Sequence, residues 1–335
     1  MSGRGHPTAA ALAAVGLVTG LLARRENARR LARRVNGSPS SVRTDDGLRL
    51  HVEVGGTAAT PTVLLVHGIG ADSSMFDPQW TALRNRARVV RYDQRGHGAS
   101  GWAGGRAASV ARLGRDLGQL MDQLAPDGPV VVVGHSMGGM AVLALAAQRP
   151  ELFGSRIRGA ALLSTRAAPL TGAERADSRV TARAWTGLSA GAAWSLWLVA
   201  PLAGAFRPFR TRPGRRVLRR QLFAGDPPEG AARAIHRMWA ETPVGVLAAY
   251  LRSLATYDQR PAIAVLRDVP VLVLAGTDDR TIPAHSARRM AEQIGEQAEL
   301  VLVDGAGHMV NTTHPDTVDA AVGALLDRVQ AGLGG

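Results

Sequence analysis

The chain has 335 residues, 46% of them hydrophobic, enough for one large core or two ordinary ones. Its net charge is +13 and all 40 basic residues are arginine, yet no aromatic-interleaved basic motif and no helix-turn-helix spacing accompanies them. The pattern therefore argues against a nucleic-acid partner despite the charge, and the lack of any cysteine excludes disulfides and thiolate catalysis.

Thr8 to Ala23 is an apolar stretch of small residues, shorter than the roughly 20 residues that a membrane span needs. Arg24, Arg25, Arg29, Arg30, Arg33 and Arg34 follow it, and such a flank favours the cytoplasmic side. The first expectation is a weak membrane anchor or interfacial helix that brings a cytoplasmic catalytic part to a membrane surface. A soluble arm and a secretory signal are the competing readings. Gly37 to Ser41 reads as a linker, which sets residues 1–40 apart as an arm.

Beyond it, Leu48, Leu50, Val52 and Val54 alternate with Arg49, His51 and Glu53 after an Asp46-Gly47 turn, the pattern of a half-buried strand. Thr62 to Val66 reads as a buried strand that ends in His67-Gly68-Ile69-Gly70. Ala87 to Tyr92 is a further strand, closed by Asp93-Gln94-Arg95-Gly96-His97-Gly98. In that loop Asp93 is expected to tie down main-chain donors, and neither His67 nor His97 is expected to act as a base. Val110, Leu113, Leu117, Leu120, Met121 and Leu124 share one face of a helix.

Val130 to Val133 is β-branched throughout and leads into Gly134-His135-Ser136-Met137-Gly138, a G-x-S-x-G match, before a helix rich in Ala, Val and Leu. A sharp strand-to-helix turn forces its corner residue into strained φ/ψ, and flanking glycines relieve the crowding. The turn would lift the Ser136 hydroxyl clear of the sheet and leave the Met137 N–H unpaired at the helix start. A second oxyanion donor would come from the neighbouring strand end. There Ile69 N–H is the candidate, with Gly68 and Gly70 allowing the main chain to approach a substrate. The competing reading of that loop is an ordinary strand-end turn.

Gly159 to Leu163 is one more strand, after which the strand–helix rhythm stops. Residues 165–267 read as helices and loops, a lid over the strand ends. They hold Trp185, Trp194, Trp197 and Trp239 and an arginine run between Phe206 and Arg216. Trp194 and Trp197 are candidates for an acyl pocket, against the plainer reading of a small lid core. The arginine run is a solvated face or, as the sharper alternative, a surface for anionic lipid. Val269 to Gly276 resumes the sheet and carries Thr277-Asp278-Asp279-Arg280-Thr281-Ile282-Pro283 at its end. Ala298 to Val303 is the last strand and ends in Asp304-Gly305-Ala306-Gly307-His308-Met309, before a closing helix with Val318, Val322, Leu325, Leu326 and Val329 on one face. This alternation predicts an α/β chain with a mostly parallel central sheet flanked by helices, whose core comprises residues 41–164 and 268–332.

A serine, a carboxylate and a histidine thus fall on loops at strand ends, in the order Ser…Asp…His. A serine hydroxyl needs a base to take its proton, and a carboxylate to hold the imidazole in the right tautomer. On these motifs the sequence resembles the α/β-hydrolase superfamily from about Val42 to Gln330, lid excepted. The resemblance implies that fold, with a helical lid inserted after the sixth strand. It also implies Ser136 as nucleophile, His308 as base and Asp279 as acid, since the family places a proline four residues beyond the acid and Pro283 fits. Asp278 is the alternative acid, and His285 and His314 are weaker candidates for the base. A serine nucleophile separates the chain from the epoxide hydrolases and haloalkane dehalogenases. The resulting expectation is a carboxylic-ester hydrolase acting through an acyl-enzyme on a small-molecule ester or lipid with a hydrophobic acyl group. It needs no metal and no organic cofactor. Acyl transfer on the same triad, C–C or amide hydrolysis, and a non-catalytic ligand receptor are the alternatives.

Overall fold

The computed structural model describes residues 38–56, 60–168 and 208–334. Eight strands form one sheet: β1 (Ser38–Arg43), β2 (Arg49–Gly55), β3 (Thr62–Val66), β4 (Arg88–Tyr92), β5 (Val130–His135), β6 (Ile157–Leu163), β7 (Val271–Gly276) and β8 (Ala298–Val303). Their spatial order is β1-β2-β4-β3-β5-β6-β7-β8; β1 and β2 run antiparallel to their neighbours and the other six are parallel. The helices of the core are α1 (Asp77–Leu83), α2 (Val110–Leu124) and α3 (Met137–Gln148). Between β6 and β7 lie α4 (Arg212–Leu222), α5 (Glu229–Glu241) and α6 (Val244–Ala255), followed in the core by α7 (Ala284–Ile294) and α8 (Pro315–Ala331). Among the described residues, α4 to α6 thus fall in the stretch between β6 and β7 where a lid was expected.

The apolar strands sort their side chains by parity, as a period of two requires. Leu64, Val66, Val132 and Val273 pack towards α2, α3 and α7. Val63, Leu65, Val131, Val133, Leu272 and Leu274 pack on the other face with Trp80 of α1 and Val318, Val322 and Leu325 of α8. Helix α2 starts where the Ser109 hydroxyl accepts the Arg112 N–H at 3.0 Å. It lies so close to α3 that a Cβ on Gly114 would fall 2.8 Å from the Ala144 backbone. Each fully buried leucine on its inner face, such as Leu117 or Leu120, contributes roughly 2 kcal/mol.

Two expectations change. Ser38 to Ser41, read as linker, belongs to edge strand β1, whose Ser40 pairs with Val52. His51 and Glu53 on the polar side of β2 are buried, because Arg91 of β4 reaches the Glu53 carboxylate at 2.7 Å and stacks its guanidinium 4.5 Å from the Trp80 ring. His51 adds a 3.2 Å contact to Glu53, so the polar side chains satisfy one another beneath α1.

The chain reverses its progress across the sheet between β3 and β5, which pair with Val66 beside Gly134. Ligands of open parallel sheets bind outside the carboxyl ends of strands at such a switch point. The Gly68–Ile69 loop and Ser136 emerge there side by side.

Candidate active site

Ser136 sits between β5 and α3 with φ 52° and ψ −119°, a left-handed backbone in a residue that is not glycine. Such a conformation costs about 1–3 kcal/mol and persists only where neighbours hold it. Here Ser136 N–H donates to Leu163 O at 2.9 Å, and the Thr165 hydroxyl donates to Ser136 O at 2.7 Å. Gly138 is required by the close approach of β3: a Cβ there would lie 2.0 Å from Val66 O.

The Ser136 Oγ lies 2.9 Å from His308 Nε2, and His308 Nδ1 lies 2.8 Å from Asp279 Oδ2. A carboxylate can only accept, so His308 carries its proton on Nδ1 and presents a lone pair on Nε2 to the serine hydroxyl. The other oxygen of Asp279 accepts Thr281 and Ile282 N–H, each at 2.8 Å, which aims the carboxylate. All three residues are buried. Asp278, the alternative acid, is exposed, as is His285, while the His314 ring contacts the Thr313 hydroxyl at 2.9 Å. The loops after β7 and β8 are tied to each other by Asp278 N–H to Ala306 O at 3.0 Å and Gly305 N–H to the Thr277 hydroxyl at 2.8 Å.

Three further histidines surround the site. His67 donates Nδ1–H to Gly68 O at 2.7 Å and accepts Gln94 N–H at 2.8 Å, and so braces the loop rather than facing Ser136 as a base. His97 accepts Gly70 N–H at 3.1 Å and donates to Arg95 O at 3.1 Å. Asp93 accepts the N–H groups of Ser73 and Ala99, each at 2.8 Å, in line with the expectation for that loop. His135 was not foreseen: its Nε2–H donates to His308 O at 2.9 Å and its ring lies 4.9 Å from the His308 ring. Burial, and secondly the neighbouring His67, pushes His97 down to about 3. Burial, and secondly His308, pushes His135 down to about 3.

Ser136 and His308 open into a cavity of about 250 Å³. Gly68 and Ile69 line it at the nucleophile, and Met140, Leu218, Trp239 and Leu254 form much of its apolar wall. Among the described residues neither Ile69 N–H nor Met137 N–H donates to a protein acceptor. Trp239 of α5 presses on Gly70, where a Cβ would lie 2.5 Å from the indole, and meets Phe209 edge-on at 5.1 Å. Trp194 and Trp197 lie outside the described residues, as does Thr8 to Ala23. Among the described residues no helix is long and apolar enough to cross a membrane, and no group of three or more metal-ligating side chains converges.

A sequence profile described as the alpha/beta hydrolase family matches residues 63–321. The chain belongs to the alpha/beta hydrolase family. This hydrolase is 31% identical over 274 residues to a magnesium-chelatase 30 kDa subunit of Rhodobacter capsulatus, covering 81% of this chain and 88% of that one. It is also similar to a thermophilic esterase from Thermogutta terrifontis, with TM-score 0.68, 26% identity and coverage of 87% of this chain and 99% of that one. The enol-lactonase from Burkholderia xenovorans LB400 gives TM-score 0.69 and 25% identity, over 86% of this chain and all of the other, 100%. The hydrolase is thus an enzyme of a family whose members include esterases and lactonases.

Proposed function

We propose that this hydrolase cleaves carboxylic esters by double displacement, with Ser136 as nucleophile, His308 as base and Asp279 as the acid that holds it. The observation that carries the reading is the continuous line of hydrogen bonds from Ser136 Oγ through His308 to Asp279, at 2.9 and 2.8 Å. As Ser136 attacks the ester carbonyl, its proton passes to His308 Nε2, and the imidazolium is stabilised by Asp279. The Ile69 and Met137 N–H groups receive the oxyanion, each contributing about 3 kcal/mol in the transition state. His308 then protonates the leaving alcohol, and the ester becomes an acyl group on Ser136. Water, deprotonated by the same imidazole, releases the acid and restores the hydroxyl.

The apolar cavity favours a hydrophobic acyl group, with Trp239 and Leu218 as its wall. Of the expected lid, residues 165–267, the described helices α4 to α6 contribute that wall. The similarity to an esterase and an enol-lactonase supports an ester carbonyl as the target.

Incubation with a fluorophosphonate followed by peptide mass mapping tests the reading: one adduct is expected, on Ser136. Turnover of p-nitrophenyl esters of graded chain length should vanish in Ser136→Ala. An adduct on another residue, or unaltered turnover in that variant, would overturn it.

A further inference from the structure

Helix α4 carries two faces with different chemistry. Leu218 and Leu222 are buried, and with Val217 and Gln221 they line the cavity that reaches Ser136. Arg212, Arg215, Arg216, Arg219 and Arg220 are exposed on the same helix. Among the described residues only Arg219 of these has a carboxylate within ion-pair distance, Asp226 at 2.6 Å. Several exposed or partly exposed arginines of the core are paired instead, which sets the density of unpaired charge on α4 apart from them. There, Arg86 pairs with Asp327, Arg112 with Asp46 and Asp116, Arg156 with Asp122, and Arg328 with Glu299. Cavity-lining Val217 is 65% exposed and Leu251, also on the cavity lining, 40%. The outer rim of the acyl cavity therefore carries exposed apolar side chains, flanked by Arg212, Arg215, Arg216 and Arg220, which have no carboxylate partner among the described residues.

We propose that α4 docks this hydrolase on anionic lipid surfaces, so that an acyl substrate enters the cavity past Val217 directly from the lipid assembly. Guanidinium groups near a negatively charged surface gain attraction that falls off within a Debye length, and an exposed valine gains by leaving water. The charges supply the approach and the apolar rim supplies the contact with acyl chains. The delivery step rests on the ester-hydrolase reading, whereas the docking step does not.

The test is co-sedimentation of the full chain with vesicles of phosphatidylglycerol and phosphatidylcholine against phosphatidylcholine alone. Binding to the anionic vesicles alone is expected, weakening steeply between about 0.05 M and about 0.5 M salt. The variant Arg212→Glu/Arg216→Glu/Arg220→Glu should bind the anionic vesicles at least about ten-fold more weakly. It should keep wild-type turnover of p-nitrophenyl acetate, since none of the three residues lines the cavity. The neutralised variant Arg212→Gln/Arg216→Gln/Arg220→Gln should fall between the two and guards against a folding effect of the glutamates. Equal binding to both vesicle types, or undiminished binding by both variants, would overturn the proposal. The second outcome would assign the contact to another basic segment, such as residues 24–34. If anionic binding is lost in the variants while no form of the protein hydrolyses esters, docking stands and the esterase reading falls.

Discussion

Acid should loosen this molecule through two imidazoles before it protonates ordinary carboxylates. His97 and His135 are held down at about 3 inside the fold, chiefly by burial, whereas an unfolded histidine titrates near about 6.5. The folded value lies below the unfolded one, so the unfolded chain takes up the proton first. The associated stability is fully present above about pH 6.5 and drains away as the pH falls towards about 3. Each such proton gives a slope approaching 1.4 kcal/mol per pH unit, hence about 2.3 kcal/mol per histidine between about pH 6.5 and about pH 4.5. Two histidines together remove about 4.6 kcal/mol, a large part of a typical domain's stability. Urea unfolding across that window measures it, and His97→Gln isolates one proton. Glutamine does not titrate and keeps an acceptor for Gly70 N–H. The variant starts less stable, but its curve should approach that of the wild type by about 2.3 kcal/mol over the two pH units. Parallel curves would refute the argument, because His97 would then titrate alike in both states.

Asp279→Asn should lower kcat about 10⁴-fold by removing the partner that fixes the His308 tautomer, while Asp278→Asn stays near wild type; steady-state kinetics on both variants decides between the two carboxylates. Trp239→Ala should enlarge the cavity and move the preference among p-nitrophenyl esters towards longer chains, and an unchanged profile would remove Trp239 from the acyl wall. Gly138→Ala places a Cβ 2.0 Å from Val66 O and should cost at least about 3 kcal/mol in thermal or urea melts. Arg95→Met should cost about 3–5 kcal/mol, because Asp116, bound to Arg95 at 2.6 Å, stays buried with less of its charge compensated. Adding Asp116→Leu should restore most of that loss in a double-mutant cycle.

The parts of the fold legible in the sequence are those whose signal is local. Val63–Val66 and Val130–Val133 are apolar without a break because both faces of a parallel strand are covered. The last strand, Ala298–Val303, has the bounds that the sequence reading gives it. The elements that escaped depend on partners far along the chain. β1 is Ser-Pro-Ser-Ser-Val-Arg, an edge strand whose only neighbour is β2, and it carries no hydrophobic period until Val42. Glu53 reads as solvent-facing until Arg91, 38 residues away, is laid beside it. In the site, chain order and strand-end loops offer a carboxylate and a histidine, and it is the family resemblance that singles out His308 and, through Pro283, Asp279 over Asp278. His135 occupies the variable position of G-x-S-x-G and has no signature at all, since its partner is the main chain of His308.

The same histidines decide which amides of the Gly68–Ala71 loop are already taken, which bears on the proposed oxyanion donor. A neutral imidazole brings one donor and one acceptor, and the main chain around Gly68 needs both. His67 uses its donor on Gly68 O and its acceptor on Gln94 N–H, joining the loop after β3 to the loop after β4. His97 takes the Gly70 N–H in the same way, and Gly68 O takes the Ala71 N–H at 3.4 Å. Arginine at position 97 would offer no acceptor and would bury a charge, so it could not take over the Gly70 contact. With the Gly70 and Ala71 amides spent, the Ile69 N–H has no protein acceptor among the described residues, on the loop that lines the cavity at Ser136. Donors fixed in this way need no reorganisation when charge develops, which is the condition under which an oxyanion hole contributes most. Replacing His97 should therefore reduce kcat beyond any loss of stability, because the Gly68–Gly70 loop gains freedom. Assayed at about 25 °C on folded protein, His97→Ala should lose more kcat than His97→Gln, which keeps the acceptor. Equal losses in the two variants would separate loop bracing from catalysis.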